Sequence, residues 1–189
     1  MSHFPRFLHQ SAEIVAKRLL GCYMSRILDG EIVRVKIVET EAYDQTDPAS
    51  HSFRGKTRRN EVMFGDCGHL YVYFTYGMHY CCNIVTGPKD HASAVLIRAV
   101  EPLGDIGILR KYRDIAGTGI TNGPAKLCQA LSIDASLNGH DLRLAPLTLH
   151  ESPALNDTEI VQTTRIGLST GRETKWRFYI RDNPYVSRQ

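Results

Sequence analysis

Glu39 and Glu41 stand two positions apart in the stretch VETEAY, and Tyr43 follows at the same spacing. The residues before them alternate between apolar and charged, as in a strand whose side chains alternate between two faces. If this strand continues, all three residues share the apolar face of Val35 and Ile37. A carboxylate there must be paired, hydrogen-bonded or used, and one beside an aromatic ring suits a general base that activates water. Alternatively, the strand ends before Glu39 and both glutamates are solvated.

A tyrosine-rich segment at residues 69–85, here called the tyrosine hairpin, is predicted to form two strands that meet at a bend near Gly77. One face carries Leu70, Val72 and Phe74, and the other carries Tyr71, Tyr73 and Thr75. Flat nucleic-acid bases stack on aromatic faces of this kind. Tyrosine is also a common strand residue, so each ring alone is compatible with a purely structural role, although this explanation is weaker for the whole group.

Four cations lie close together in a loop between these two segments: Arg54, Lys56, Arg58 and Arg59. The net charge of +3 is too small to indicate nucleic-acid binding by itself. Most basic runs are simply solvated. The position of this basic loop, residues 54–59, nevertheless favours contact with phosphates.

A chain of 189 residues, 42% hydrophobic and 23% charged, is expected to form one domain with its own core. No apolar run has the length that a membrane span or a signal peptide requires. The histidines show no zinc-site spacing, and the cysteines include no C-x-x-C pair. We therefore expect reduced thiols, no metal site and a cytoplasmic location. The cysteines are Cys22, Cys67, Cys81, Cys82 and Cys128, of which the adjacent two should point to opposite faces of a strand.

The elements that position these residues are predicted to be mostly strands. A helix from Ser11 to about Leu20 precedes a β-rich block. Further helices are expected from Pro102 through Tyr112 and from Pro124 onward. The expected strands are residues 23–25, 32–43, the two halves of the tyrosine hairpin, 93–100, 142–144 and 176–180. This order indicates an α+β fold with a curved, largely antiparallel sheet.

Six motifs in this order and near this spacing resemble the alkyladenine (3-methyladenine) DNA glycosylase family: VETEAY, ASHSFRG, RNEVMF, LYVYFTYGMHYCCNI, LIRAVEP and GPAKLCQAL. The matches run from about Ile37 to Leu131, and weaker ones at residues 164–167 and 176–179 extend toward the end. The resemblance implies that residues 1–189 form a single compact glycosylase domain. It also implies flanking helices and a protruding β-hairpin that enters DNA.

The resemblance assigns catalytic roles to two residues. Glu41 matches the glutamate that activates the attacking water, and Arg98 matches a residue that helps to hold this water and Glu41. The backbone carbonyl of Ile166 is a looser match to a group that contacts the same water. From the sequence alone, a buried ion pair of Arg98 with another carboxylate such as Glu101 is nearly as good an interpretation. Glu39 fits the family pattern less well and is expected to serve the structure.

A base pocket is also implied. Tyr43, His51 and Tyr73 match the residues that stack on the flipped base, and Asn83 matches the residue that excludes guanine through its exocyclic amino group. Without the resemblance, His51 is better interpreted as a loop histidine, and Asn83 as a strand asparagine satisfied by the backbone.

Three further residues are implied to contact DNA. Tyr76 at the bend matches the side chain that intercalates into the duplex, and Met78 supports it. Turns favour small polar residues, so an aromatic ring there is unusual. Lys126 lies in the first turn of the predicted Pro124 helix, where it would bind phosphate together with the basic loop. From the sequence alone, a solvated lysine is the better interpretation.

The implied activity is that of a monofunctional DNA glycosylase of base excision repair. Such a hydrolase flips out alkylated and deaminated purines from duplex DNA and excises them. The implied substrates are 3-methyladenine, 7-methylguanine, hypoxanthine and ethenoadenine. No lysine occupies the position of a Schiff-base nucleophile near Glu41, so no lyase activity is expected. We expect a monomer without metal, organic cofactor or membrane partner, in the cytoplasm and, in a bacterium, on the nucleoid.

Two other functions fit parts of the pattern. Glu39 and Glu41 would be about 7 Å apart along a strand, as in an inverting sugar hydrolase, although both would lie on one side of the substrate. A non-catalytic module that binds RNA or single strands would use the tyrosines and the basic loop. That function leaves Glu41 unexplained, because a carboxylate in a phosphate-binding groove lowers affinity.

Overall fold

Eight strands form one antiparallel sheet in the computed structural model, which describes residues 3–75 and 77–188. The strands are β1 (Tyr23–Leu28), β2 (Glu31–Asp44), β3 (Leu70–Thr75), β4 (His79–Val85), β5 (Ser93–Pro102), β6 (Leu147–His150), β7 (Ile160–Thr163) and β8 (Arg177–Ile180). Their order is β3-β4-β5-β2-β1-β6, while β8 pairs with β2 and β7. The sheet curls into a half-barrel, which confirms the predicted α+β fold with a curved antiparallel sheet.

The helical elements of the described chain are short. The α-helices are α1 (Ala12–Arg18), α2 (Gly107–Tyr112) and α3 (Pro124–Ala130), and single 3₁₀ turns lie at Arg6–His9, Glu61–Phe64, Gly117–Ile120, Ala135–Leu137 and Asp157–Glu159. Ser11 occupies the N-cap position of α1 as predicted, although its side chain makes no capping hydrogen bond. Gly21 follows the helix with a φ of 85°, a conformation that favours glycine. α1 packs against β2, and α3 packs against β4 and β5. No helix among the described residues has the length and apolarity to cross a membrane.

The strand that carries the two glutamates, β2, changes partners along its length. Its first half pairs with β1, whereas its residues from Glu39 to Glu41 pair with β8. β5 runs along the other side of β2. Both glutamates therefore lie in a central strand, between β5 and β8, and both are fully buried. The alternative in which the strand ends before Glu39 is excluded.

An irregularity in β2 changes which side chains face the core. The pairing with β5 shifts register between Ile37 and Thr40, and such bulges re-aim side chains locally. Beyond the shift, Ala42 joins Val35 and Ile37 in the main hydrophobic cluster. Its neighbour Glu41 lines a pocket on the opposite face. The prediction that the glutamates share the face of Val35 and Ile37 is therefore wrong, because it assumed unbroken alternation.

The tyrosine hairpin alternates as predicted. Leu70 and Val72 belong to the main hydrophobic cluster, whereas Tyr71 and Tyr73 line the pocket on the other face. Phe74 is 50% exposed, because β3 extends past the core at this end. The hairpin thus supplies one face to the core and one face to the pocket.

The cysteines behave as buried free thiols. All five are buried, and none forms a disulfide. Cys82 lies in the main hydrophobic cluster and Cys81 lines the pocket. The prediction that these neighbours point to opposite faces is confirmed.

Two predicted elements differ from the structure. The helix expected from Pro102 begins at Gly107, because Pro102 still belongs to β5. Residues 142–144 form no strand; they lie in a turn after Asp141, which makes an isolated bridge to His69. The strand in this region is β6, which pairs with β1. β7 is absent from the sequence prediction.

Candidate active site

A pocket of about 370 Å³ opens on the face of the sheet opposite the main hydrophobic cluster. Strands β2, β3, β4 and β5 and the loop after β7 contribute its walls. The structure brings together seven residues singled out in the sequence, which all line this pocket: Glu41, Tyr43, His51, Tyr73, Asn83, Arg98 and Ile166. Residues far apart in the chain therefore meet at one site.

Glu41 is the carboxylate at the pocket, and it accepts three hydrogen-bond or ion-pair contacts. Its Oε1 accepts from the backbone N–H of Ile166 at 2.8 Å and lies 3.2 Å from Nη1 of Arg98. Its Oε2 accepts from the hydroxyl of Tyr43 at 2.8 Å. An ionised carboxylate offers about four acceptor positions. One position, on Oε2, thus remains for a further donor.

Arg98 connects Glu41 to the second glutamate. Its Nε donates to Oε1 of Glu39 at 3.1 Å, while its Nη1 faces Glu41. Burial lowers the pKa of Arg98, but the carboxylates of Glu41 and Glu39 more than offset this and raise it. Glu101, the other partner considered from the sequence, pairs with Lys36 instead. Arg98 therefore stays charged at the base of the pocket.

Aromatic rings form one wall of the pocket. The rings of His51 and Tyr73 meet edge to face with centroids 4.5 Å apart, and Nδ1 of His51 lies 3.1 Å from the hydroxyl of Tyr71. Burial and the Arg59 guanidinium lower the pKa of His51, which favours the neutral imidazole. Burial, reinforced by Cys81, raises the pKa of Tyr73. This wall is therefore uncharged at neutral pH and suits a flat heterocycle.

Tyr43 carries a polar contact that the sequence did not indicate. Besides lining the pocket, its hydroxyl donates to Glu41. Burial and then the Glu41 carboxylate raise the pKa of Tyr43 well above its usual value, so the hydroxyl remains a donor. Tyr43 therefore joins the aromatic lining of the pocket to the carboxylate.

Arg165 is a buried cation behind the pocket that sequence reasoning missed. It forms an ion pair with the buried Asp47 and donates to the carbonyls of Ala42, at 2.9 Å, and Gly171, at 3.2 Å. Its guanidinium carbon lies 4.7 Å from the ring centroid of Tyr43. It thereby fixes both the loop after β7 and the Tyr43 ring. The one feature of the sequence that could have indicated Arg165 was its position in the weak family match at residues 164–167.

Asn83 and Cys81 come from β4 on the pocket face. Nδ2 of Asn83 donates to the carbonyl of Tyr71 at 3.2 Å, so its amide is held by the backbone and still borders the pocket. Burial raises the pKa of Cys81 to about 11, so this thiol is neutral at physiological pH.

The basic loop borders the aromatic wall. Asn60, which is buried, donates from Nδ2 to the carbonyls of His51 and Gly55 and accepts from the N–H of Thr57. Sequence reasoning missed this asparagine, although it follows the basic residues directly. Arg59 lies over the Tyr73 ring at 5.8 Å, so it contacts the pocket wall. Exposed side chains of the loop include Arg54, Lys56 and Arg58.

Lys126 and Met78 are not among the described residues that line the pocket. Lys126 Nζ donates to Oδ1 of Asn122 at 2.7 Å and is partly buried. Met78, next to the bend of the tyrosine hairpin, is 70% exposed. Tyr76, the predicted intercalating residue, lies outside the described residues.

This arrangement can hold a planar ring between aromatic side chains and present one carboxylate to a water molecule beside it. Within the described residues, no group of three or more His, Cys, Asp and Glu side chains is arranged to hold a metal ion. Glu39 and Glu41 both contact Arg98, but only Glu41 of the two lines the pocket. An inverting sugar hydrolase places its two carboxylates on opposite sides of the substrate, so the geometry does not favour that alternative.

Comparisons with known proteins agree with this geometry. The model of the methylpurine-DNA glycosylase family matches residues 6–184. A protein of Carboxydothermus hydrogenoformans is 52% identical over 188 residues, which cover 97% of each chain. Relatives from Methanoculleus marisnigri (43% over 188 residues, 97% of each chain) and Nitrosospira multiformis (43% over 175 residues, 92% of this chain and 88% of the relative) are also similar. All three carry the name "Putative 3-methyladenine DNA glycosylase". The resemblance noted in the sequence is confirmed, and the chain belongs to the methylpurine-DNA glycosylase family.

Proposed function

We propose that this protein is a monofunctional glycosylase that flips a damaged purine into the pocket and hydrolyses its N-glycosyl bond. The observation that carries the proposal is the state of Glu41, a fully buried carboxylate that borders a pocket with aromatic walls. Burying a carboxylate is costly unless it is paired and hydrogen-bonded. Such a group at a pocket wall is a candidate for chemistry.

In this mechanism Glu41 acts as the general base. Arg98 and the Ile166 N–H occupy Oε1, and the Tyr43 hydroxyl occupies one position of Oε2. The remaining acceptor position of Oε2 takes the proton of the attacking water. The oxygen of this water adds to C1′ of the sugar as the damaged purine departs. A water fixed beside a bound substrate reacts without the entropic cost of a bimolecular encounter. The carbonyl of Ile166 remains the proposed second partner of that water.

The proposed substrates are 3-methyladenine, which the relatives' names specify, and 7-methylguanine, hypoxanthine and ethenoadenine. Purines alkylated at N3 or N7 carry a positive charge and leave readily, whereas neutral hypoxanthine requires protonation as it leaves. The rings of Tyr43, His51 and Tyr73 would stack on any of these bases, because stacking tolerates many heterocycles. Discrimination among these bases would therefore depend on the polar groups at the edges of the pocket.

Absence of lyase activity is part of the proposal. Strand cleavage by a glycosylase requires an amine that forms a Schiff base at C1′. No lysine is among the described residues that line the pocket. Glu41 would therefore direct water, and the product would be an intact strand with an abasic site.

The tip of the tyrosine hairpin is proposed to enter the duplex. Met78 is a large apolar side chain, and its 70% exposure has no folding rationale. Tyr76 is assigned the intercalating role on the sequence resemblance alone. A wedge that fills the vacated space recovers part of the few kcal/mol that unstacking costs.

Excision of one damaged base is the direct test of the proposed function. Duplexes carrying a single hypoxanthine or ethenoadenine are incubated with the protein, and a matched undamaged duplex is the control. Hot alkali should cleave only the damaged duplexes, and the same samples should stay intact without alkali. Cleavage without alkali would contradict the monofunctional mechanism. Intact DNA after alkali would contradict a glycosylase and favour a binding module.

Asn83→Ala is expected to relax discrimination against guanine. The amide of Asn83 borders the pocket and is fixed by the Tyr71 carbonyl, so it can crowd the 2-amino group of guanine. Removing one such contact is worth roughly 1–3 kcal/mol of discrimination. Excision of guanine or 7-methylguanine relative to hypoxanthine should rise about tenfold in single-turnover assays. Equal loss of both activities would identify Asn83 as a structural residue.

Arg58→Ala is expected to weaken binding to every DNA sequence equally. Arg58 is exposed in the basic loop, and losing one phosphate contact should flatten the plot of log affinity against log salt by about 0.9. Lys17→Ala is the matched control, because α1 packs against the core face of β2. An unchanged slope in Arg58→Ala would show that Arg58 does not contact phosphate.

Arg59→Ala should weaken DNA binding and also disturb the pocket, since Arg59 lies over Tyr73.

A further inference from the structure

Glu39 is a buried charge near the pocket that the proposed mechanism leaves without a role. Its side chain is fully buried, and it does not line the pocket. Its Oε1 accepts from Nε of Arg98 at 3.1 Å, from Nε of Arg177 at 2.7 Å and from Oγ of Ser187 at 2.9 Å. Its Oε2 accepts from the backbone N–H of Ser187 at 2.7 Å. Four donors from three separate parts of the chain therefore meet at this carboxylate.

The neighbouring strands explain why the two arginines meet there. β5 carries Arg98 on one side of β2, and β8 carries Arg177 on the other. The side chain of Arg177 is also held by the backbone carbonyl of Arg188 and lies over the Tyr179 ring. The buried carboxylates of Glu39 and Glu41 are thus balanced in charge by two buried guanidiniums. These belong to Arg98 and Arg177.

The contacts of Arg98 show what Glu39 controls. A guanidinium has a rigid fork, so a contact at Nε fixes the direction of Nη1. With Nε held by Glu39, only Nη1 lies against Oε1 of Glu41. Without that hold, Arg98 is free to turn a second nitrogen toward Glu41 and occupy the acceptor position that the water needs.

We infer that Glu39 is a positioning residue for the hydrolysis: held by Arg177 and Ser187, it orients Arg98 so that Glu41 keeps one acceptor position open for water. This inference rests on the proposed function. It also makes the segment around Ser187, which is 148 residues from Glu39 in sequence, part of the support of the active site.

The test compares single-turnover excision of hypoxanthine, affinity for the same duplex and melting temperature in three variants. Glu39→Gln should lower excision about 100-fold, the loss expected from a misplacement near 1 Å, and change affinity less than threefold. Ser187→Ala keeps the backbone donor and removes only the hydroxyl, so it should fold and lower excision about fivefold. Glu101→Gln is the matched control, because Glu101 is also paired with a cation and holds Asn183 near the same segment. It should leave excision within twofold.

A double-mutant cycle that combines Glu39→Gln with Arg98→Lys distinguishes a positioning role of Glu39 from a purely structural one. Lysine keeps the charge and lacks the fork, so Arg98→Lys should lower excision by itself, and adding Glu39→Gln should lower it little further. The inference is overturned if the double variant loses excision by the product of the two single losses. Normal excision by Glu39→Gln or Ser187→Ala would overturn it as well. Parallel loss of affinity and excision in Glu39→Gln, with Ser187→Ala normal, would also overturn it. An inactive wild-type protein would instead contradict the proposed function.

Discussion

Arg165→Met is expected to destabilise the protein by about 3–5 kcal/mol, the usual cost of removing one partner of a buried ion pair. Methionine fills a similar space and supplies no donor. Asp47 is then left buried without its counter-ion, and the carbonyls of Ala42 and Gly171 lose their donor. For a domain of this size, the melting temperature should fall by roughly 10 °C.

Arg172→Met is the matched control for this prediction. Arg172 is an exposed arginine a few residues away, and it donates only to the carbonyl of Leu168 at 2.8 Å among the described residues. Its replacement should change stability by less than about 0.5 kcal/mol. Equal melting temperatures for the two variants would show that the Arg165 ion pair adds nothing to stability. Below the melting range, Arg165→Met should also weaken binding of the damaged base, because Tyr43 loses its support.

Local patterns in the sequence were sufficient for much of the fold. Alternation in residues 69–85 predicted which face of the tyrosine hairpin meets the core, and Pro124 predicted the start of α3. Pro102 was ambiguous, because a proline can end a strand as well as begin a helix, and here it ends β5. The bulge in β2 was not predictable either, since nothing in a sequence of buried residues marks where the register shifts.

The pocket was predicted only in part, for a related reason. Seven of the residues that line it were singled out from their motifs, and the structure brings these together. The contacts behind the pocket join distant parts of the chain: Asp47 pairs with Arg165 across 118 positions, and Glu39 accepts from Ser187 across 148. A single sequence carries no signal for such contacts. The hydroxyl bond from Tyr43 to Glu41 also depends on side-chain geometry that periodicity does not specify.

Glu41→Gln is expected to abolish most excision while leaving DNA binding intact. The amide has the shape of the carboxylate but only one acceptor oxygen. Because Arg98 and the Ile166 N–H both donate to the Oε1 position, the amide oxygen should occupy that position. The NH₂ group then faces the Tyr43 hydroxyl and the water, where a donor replaces the base. Loss of a general base typically costs 10²–10⁴-fold, so we expect a fall of about 10³-fold.

The proposed role of Glu41 is tested most directly by single-turnover excision of hypoxanthine from one duplex, with wild-type protein and Glu41→Gln each in saturating excess. Affinity for the same duplex is measured in parallel, so that a defect in binding is separated from a defect in chemistry. We predict a rate lower by about 10³-fold in Glu41→Gln, with affinity within threefold of wild type. A rate within tenfold of wild type at saturation would show that Glu41 is not the general base.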